Sequence, residues 1–206
     1  MPIHSYQPQQ GHRLPHDPFK AIIAPRPIGW ISSMDAGGRV NLAPYSFFNA
    51  FSEFPPIIGF SSSGRKDSQS NIEATGEFVW NLATRPLAAQ MNLTSAAVRH
   101  ETNEFELAGL EPAPSVLVKP PRVAASPASF ECKVTDILPI RNLAGRPTHN
   151  TIILGQVVAV HIHTDYLTAD GLFDMTRART IARCGYLADY AEVAELFEMH
   201  RPSCGG

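Results

Sequence analysis

The sequence lacks the features typical of an exported, membrane-spanning or nucleic-acid-binding protein. It has three cysteines, Cys132, Cys184 and Cys204, which form neither a CxxC pair nor a metal-ligand spacing. No apolar run approaches the roughly 20 residues that cross a bilayer, and the N-terminus has no basic-then-apolar leader. The net charge is −2 and the basic residues form no run, which disfavours a nucleic-acid-binding face. We therefore expect a cytoplasmic protein that binds neither membranes nor nucleic acid.

Motifs of several enzyme classes are also absent. There is no GxSxG nucleophile elbow, no GxxxxGK[ST] phosphate loop and no GxGxxG dinucleotide fingerprint. His161 and His163 share one face of a predicted strand, but no third ligand lies nearby, so a solvated or interface-facing pair is favoured over a metal site. Cys184 follows Arg183 and could be reactive, although a structural thiol is the favoured interpretation. The sequence therefore predicts no metal centre and no catalytic triad.

Strand-like segments dominate what the sequence does contain. The chain has 206 residues, 44% of them hydrophobic and 17% charged, which suits one compact domain, and 18 prolines favour turns and strand ends over a helical bundle. Predicted strands span residues 28–33, 40–45, 57–62, 78–83, 127–140 and 151–163. Predicted helices span residues 67–74, ended by Gly76, and residues 86–96 and 191–200.

This order of elements indicates a fold class and a domain plan. Because no regular βαβα alternation appears, the sequence predicts a mainly β fold, a closed or split antiparallel barrel with inserted short helices. Residues 28–45 form a predicted hairpin and residues 46–54 a predicted loop. We expect an extended arm over residues 1–18, one barrel domain over 19–190, and a C-terminal helix and tail over 191–206.

The segment from residue 61 to residue 68 has the composition of an anion site. Its hydroxyls and cations directly precede a helix start, where free N–H groups favour an anion and nearby cations add charge-assisted bonds. The segment contributes Ser61, Ser62, Ser63, Arg65, Lys66, Asp67 and Ser68. The alternative is a solvated turn that merely caps the helix.

A second candidate segment mixes aromatic and polar side chains. Residues Ser46, Phe47, Phe48 and Asn49 could give a planar heterocycle an apolar floor with polar groups at its edge. Ordinary core packing is the alternative for each phenylalanine. Trp30 points either into the core or over such a ring, and strand alternation alone does not decide which.

Ordered blocks over residues 25–163 closely resemble the flavin reductase-like family. They include RPIGWIS, NLAPYSFFNAFS, PPIIGFS, RKD, EATGEFVWNL and ILGQVVAVHI. The resemblance implies an FMN-binding split barrel, with FAD as a possible flavin, and a homodimer with FMN near the subunit interface. It also implies NADH or NADPH as electron donor and a possible partner oxygenase that receives reduced flavin.

The resemblance further implies a set of cofactor contacts. Residues 46–49 and 61–63 would line the isoalloxazine ring and ribityl chain. Arg65, Lys66 and Ser68 would bind the phosphate. Trp30 and Ser32 would stand near the ring, and Asn81 would lie on the neighbouring strand.

The expected function is that of an NAD(P)H:FMN oxidoreductase. Hydride transfer from nicotinamide to flavin uses no protein acid or nucleophile, so the sequence predicts no catalytic side chain. Two alternatives stay open. The protein could be an electron carrier that holds FMN without direct reduction by NAD(P)H, or a binding protein that has lost its flavin.

Overall fold

The computed structural model describes residues 1–202, and its regular structure is mainly antiparallel β-strand. The strands are β1 (Arg26–Pro27), β2 (Gly29–Met34), β3 (Val40–Tyr45), β4 (Phe48–Ser52), β5 (Ile57–Ser63), β6 (Glu77–Asn81), β7 (Pro112–Ala113), β8 (Arg122–Val123), β9 (Ala128–Arg141), β10 (Pro147–Ile162), β11 (Ile181–Arg183) and β12 (Tyr190–Glu192). The helices are α1 (Phe19–Ile22), α2 (Asp67–Thr75), α3 (Ala88–Leu93) and α4 (Glu104–Leu107). Short 3₁₀ turns lie at Pro8–Gln10, Arg85–Leu87 and Thr164–Tyr166.

Seven strands form one curled sheet in the order β3-β2-β6-β9-β10-β5-β4. Its longest members, β9 and β10, pair with each other and shift register between Leu154 and Gly155 and again between Val157 and Ala159. Such bulges bend a strand and increase its twist, which lets the sheet curl into a half-barrel. A smaller sheet of β1, β11 and β12 lies beside it. The predicted mainly β class is confirmed.

The core occupies both faces of β2. Trp30 and Leu42 belong to a buried cluster with Met91 on α3, whereas Ile31 belongs to a second cluster with Phe78. Because successive strand residues face opposite sides, one strand supplies both clusters. All but the last residue of β2 are buried, so this strand is covered on both faces.

Gly155 allows an unusually close contact inside the sheet. A Cβ atom at this position would stand 2.4 Å from the nearest ring carbon of Phe78, closer than real Cβ contacts. The missing side chain therefore lets the buried Phe78 ring lie directly against β10.

Two local predictions are confirmed in detail. β2 and β3 form the predicted hairpin, and Asp35 in its turn accepts N–H bonds from Gly37 and Arg39 at 2.8 and 2.9 Å. The helix predicted over 67–74 is α2, and Gly76 ends it in the left-handed conformation. The helix predicted over 86–96 is replaced by the 3₁₀ turn Arg85–Leu87 and the shorter α3.

Two other predictions are wrong. The segment predicted as a loop over 46–54 contains β4, because its backbone pairs with β5. The helix predicted over 191–200 is absent: Tyr190–Glu192 pairs with β11, and residues 193–202 have no regular structure. Phe197, on the predicted apolar face, is 83% exposed, so no packing supports a helix there. Cys204 and the rest of the tail lie outside the described residues, and the domain plan stays a prediction.

No helix among residues 1–202 is both long and apolar enough to span a bilayer.

A buried carboxylate ties the proline-rich segment over residues 114–121 to the sheet. Glu131 on β9 is fully buried and accepts N–H bonds from Val116, Leu117 and Val118 at 2.7, 2.6 and 3.1 Å. His161, one of the two strand histidines, places Nε2 2.6 Å from the same carboxylate. Burial raises the pKa of Glu131, but the donated bonds outweigh it, so the pKa is lowered overall.

We expect Glu131→Gln to lower the free energy of unfolding at about pH 7 by about 1–3 kcal/mol, because buried N–H donors lose acceptors. A depressed folded-state pKa stabilises the protein above the unfolded pKa, and this stability is lost as the pH falls through the folded pKa. The difference between wild type and variant should therefore narrow towards about pH 3. Urea titrations at both pH values measure it, with the exposed Glu53→Gln as control. A difference independent of pH would contradict this account.

Candidate functional site

A cavity of about 480 Å³ opens where β3, β5 and the start of α2 meet the segment after α3. We call it the central cavity. Its lining comprises Asn41, Ala43, Pro44, Tyr45, Ser46, Phe47, Ser61, Ser63, Lys66, Asp67, Ser68, Thr94, Ser95, Ala96, Ala97, Val98 and Glu104. The structure thus brings most of the predicted anion segment to one wall and part of the 46–49 segment to another.

The N-terminus of α2 lies at one end of the central cavity. Gly64, with a φ of 74°, turns the chain out of β5, and Lys66 is extended before the helix begins. The first helical bond runs from the N–H of Ser70 to the carbonyl of Lys66 at 3.0 Å. Within residues 1–202, the N–H groups of residues 67–69 have no acceptor. This end of the cavity therefore offers backbone donors to an anion.

Two residues that line the cavity carry a buried hydroxyl that meets no hydrogen-bond geometry within the described chain, although the Ser62 and Ser68 hydroxyls lie near that of Tyr45. The atoms are Tyr45 OH and Ser61 Oγ, and both are buried. Burial raises the pKa of Tyr45, so the phenol stays protonated and able to donate. Buried polar groups in native proteins are nearly always bonded, so these two hydroxyls suit the polar edge of a ligand.

The other serines of the segment differ in their contacts. Ser62 is buried, and its hydroxyl donates to the carbonyl of Gly64 at 2.9 Å. The Ser68 hydroxyl accepts a bond from Asn41 Nδ2 at 2.8 Å and keeps its own proton to donate. Ser63 lines the cavity from the end of β5. Ser63 and Ser68 are therefore placed to contact a ligand directly, whereas Ser62 shapes the turn.

The two adjacent cations point in different directions. Lys66 lines the central cavity, but Arg65 lies outside it and forms an ion pair with Glu73 on α2 at 2.7 Å. The predicted pair of phosphate-binding cations is therefore reduced to Lys66 in this arrangement.

Acidic groups also border the cavity. Asp67 lines it and contacts His100 Nδ1 at 2.9 Å. Glu104 is buried and accepts the N–H of Leu42 at 3.1 Å, and burial is the main cause that raises its pKa. The anion end of the site therefore has mixed charge.

The aromatic segment forms a shared wall. Ser46, Phe47 and Ser61 line both the central cavity and an apolar cavity of about 510 Å³, which we call the edge cavity. Phe48 and Asn49 line the edge cavity alone. Phe48 also stacks on Trp80, with ring centroids 5.6 Å apart and planes 6° apart, so it is partly a core residue.

Two further cavities extend the site towards the small sheet. A connecting cavity of about 300 Å³ shares Pro44, Tyr45, Ser46 and Ser95 with the central cavity. It shares Asn92, Arg183, Leu187 and Tyr190 with a larger C-terminal cavity of about 620 Å³. The three cavities are therefore neighbours in a series from α2 to β11 and β12, and together we call them the groove.

Three residues predicted to lie near the ring are fully buried in the structure. Trp30 donates Nε1–H to Thr94 Oγ1 at 3.0 Å. Ser32 donates to the carbonyl of Pro121. Asn81 Oδ1 accepts from the N–H of Val123 at 2.8 Å. They lie on the inner strands β2 and β6, and none of them lines the central cavity.

Sequence reasoning missed several residues that line the groove. Tyr45 directly precedes the predicted segment over residues 46–49, but its position in a predicted strand gives no sign of a role in binding. Residues 95–98 come from a connection, and only their fold position brings them to the wall. Arg183 and Tyr190 are seven positions apart, yet the guanidinium lies 4.6 Å from the ring centroid.

The half-barrel and this groove together define the class of flavin-binding split-barrel proteins. The model of the flavin reductase like domain matches residues 23–182. The chain belongs to the flavin reductase-like family, and its split-barrel fold is confirmed. Membership of this family identifies the protein as a flavin-related oxidoreductase.

Individual proteins agree with this assignment. An uncharacterised protein of Aquifex aeolicus is 34% identical over 80% of this chain and 83% of its own length. Nitrilotriacetate monooxygenase component B from Bacillus cereus is 29% identical, with a TM-score of 0.86 over 97% of this chain and 100% of its own. The 2-nitrobenzoate 2-nitroreductase NbaA of Pseudomonas fluorescens is 24% identical, with a TM-score of 0.79 over 90% and 89% of the two chains, and shows the shared fold.

Proposed function

We propose that the protein is an NAD(P)H-dependent FMN reductase that holds FMN in the central cavity. The observation that carries this proposal is the pairing of an anion end with an aromatic-walled groove in adjoining cavities. A bare phosphate would use only the first part, whereas FMN joins a phosphate to a flat ring through a ribityl chain.

The phosphate end combines three kinds of donor. The free N–H groups of residues 67–69 point out of the start of α2, where the helix field favours an anion. Lys66 adds a charge-assisted bond, and the hydroxyls of Ser63 and Ser68 add neutral ones. The residues present therefore fit a phosphomonoester.

The ring end combines apolar walls with unpaired hydroxyls. Pro44, Phe47 and Ala96 provide apolar surface, and Tyr45 OH and Ser61 Oγ are the buried groups without partners. A flavin has polar atoms along its edge and apolar faces, so it would satisfy these hydroxyls and cover the walls. When bound, FMN supplies the redox chemistry, and this chain orients the ring and excludes water.

The electron donor would enter from the C-terminal cavity. Arg85 and Arg183 line that cavity with the amide of Asn92, and one carboxylate, Glu192, is engaged by Arg179 at 2.7 Å. The guanidinium groups suit the phosphates of a nicotinamide nucleotide. The connecting cavity would then receive the nicotinamide ring beside the flavin.

A partner oxygenase is part of the proposal. The similarity to a protein described as a monooxygenase component supports a chain that supplies reduced flavin to a separate oxygenase.

Anaerobic mixing of the FMN-loaded protein with NADH or NADPH tests the reductase activity. We expect at least one of them to bleach the absorbance of the oxidised flavin. Stopped-flow spectroscopy measures the rate of this change. Because the chain orients both rings, reduction should be faster than that of free FMN. If neither donor reduces the bound flavin while dithionite does, the reductase assignment is wrong and the electron-carrier alternative holds.

Lys66→Ala should weaken FMN binding about ten- to a hundredfold, the loss of a charge-assisted bond of about 1.5–3 kcal/mol. Arg65→Ala is the matched control, because its guanidinium is bound to Glu73 outside the cavity. Arg65→Ala should change the dissociation constant for FMN only a little. Quenching of flavin fluorescence measures both dissociation constants. An equal or larger loss in Arg65→Ala would place the phosphate outside the central cavity.

A second copy of this chain would cover the edge cavity. β4 is an edge strand, and both Phe51, which lines the cavity, and Phe54, which follows β4, are exposed, at 57% and 86%. Exposed apolar surface on a free strand edge is typical of an interface. Because the edge and central cavities share Ser46, Phe47 and Ser61, the partner would complete the flavin site.

We expect Phe51→Asp to convert a homodimer to monomers and to weaken FMN binding, because a charge is buried without a partner at the interface. Light scattering after size exclusion measures the mass, with exposed Leu172→Asp as control. A wild-type protein that is monomeric at micromolar concentration would refute the dimer.

A further inference from the structure

Asp67 is an unexpected group at a site for an anionic ligand. It is the first residue of α2 and lines the central cavity beside Lys66. A carboxylate in a first helical turn stabilises the helix, but its charge opposes a phosphate bound at the same N–H groups. The proposed phosphate site therefore needs a group that compensates this charge.

His100 is the side chain in contact with that carboxylate. Its Nδ1 lies 2.9 Å from Asp67 Oδ1, and its Nε2 lies 3.5 Å from Asp35 Oδ2. Because a carboxylate can only accept, the Nδ1–H of His100 donates to Asp67. The imidazole therefore holds this carboxylate by a hydrogen bond.

The other carboxylates near His100, those of Asp35 and Glu104, have partners of their own. Asp35 is already bound by Arg39 at 2.6 Å. Glu104 lies near the same group, but it is buried, its pKa is raised mainly by burial, and its carboxylate accepts the N–H of Leu42. Lys66 is the remaining cation of the cavity wall.

From this geometry we infer that His100 is a positioning residue that makes the site selective for phosphorylated flavins. Its hydrogen bond to Asp67 offsets part of the carboxylate charge, so that the N–H groups of residues 67–69 and Lys66 act on the phosphate with less opposition. This inference rests on the proposed FMN site. The enclosed hydroxyl of Ser61, a residue that lines the same cavity, has no partner within residues 1–202 and supports a ligand there independently.

Dissociation constants for FMN and for riboflavin, which lacks the phosphate, provide the test. Asp67 and His100 are partly exposed, so solvent limits the effect. His100→Ala should weaken FMN binding about three- to tenfold, with less than about a twofold change for riboflavin. The loss should shrink at high salt, because a partly exposed charge is screened.

A second substitution separates charge from wall structure. In the His100→Ala background, Asp67→Asn removes the uncompensated charge and should restore most of the FMN affinity. The exposed His163→Ala, at the far end of β10, is the control and should change neither flavin.

Three outcomes would overturn the inference: an equal loss for both flavins, no loss for FMN, or no recovery in the double variant. In each of them wild-type protein still binds FMN, so the proposed function survives. A wild-type protein that binds neither flavin would overturn the proposed function together with this inference.

Discussion

The pairing of β9 with β10 is the constraint on which the rest of the molecule depends. β10 carries β5 on its other edge, and β9 carries β6. This places the end of β5, and with it the turn into α2, at the mouth of the groove. The bulges near Gly155 bend the pair, and the absent side chain admits the Phe78 ring against the bend. A defect in this pairing would therefore disturb both the core and the anion end of the site.

The buried polar residues discussed above fall into two groups that differ in their hydrogen bonding. Glu131, Asn81 and Ser32 are enclosed and bonded to the backbone of residues 114–123, so their polarity holds that segment. Tyr45 and Ser61 are enclosed and lack partners within the described residues, so their polarity is available to a ligand. The distinction matters because an unpaired buried hydroxyl costs free energy that a bound cofactor recovers.

Local chemistry in the sequence predicts a good part of this arrangement. The turn residues of the 28–45 hairpin and the Gly76 stop after α2 identify their elements, and the β-branched run over 151–163 identifies β10. Contacts that a local sequence pattern does not reveal decide what the sequence does not predict. Arg65 and Lys66 are neighbours, yet the carboxylate of Glu73 draws one of them away. Alternation shows that Trp30 and Ile31 face opposite sides, but not that both sides are buried. The helix predicted over 191–200 is absent because the backbone of Tyr190–Glu192 pairs with β11.

The central claim is that the N–H groups at the start of α2 hold the phosphate of FMN. Amide NMR of the full chain, titrated with FMN and with riboflavin, tests it most directly. The account predicts that the amide resonances of residues 67–69 shift strongly with FMN and little with riboflavin, whereas residues 95–98 respond to both. Unchanged resonances at residues 67–69 under saturating FMN would contradict it.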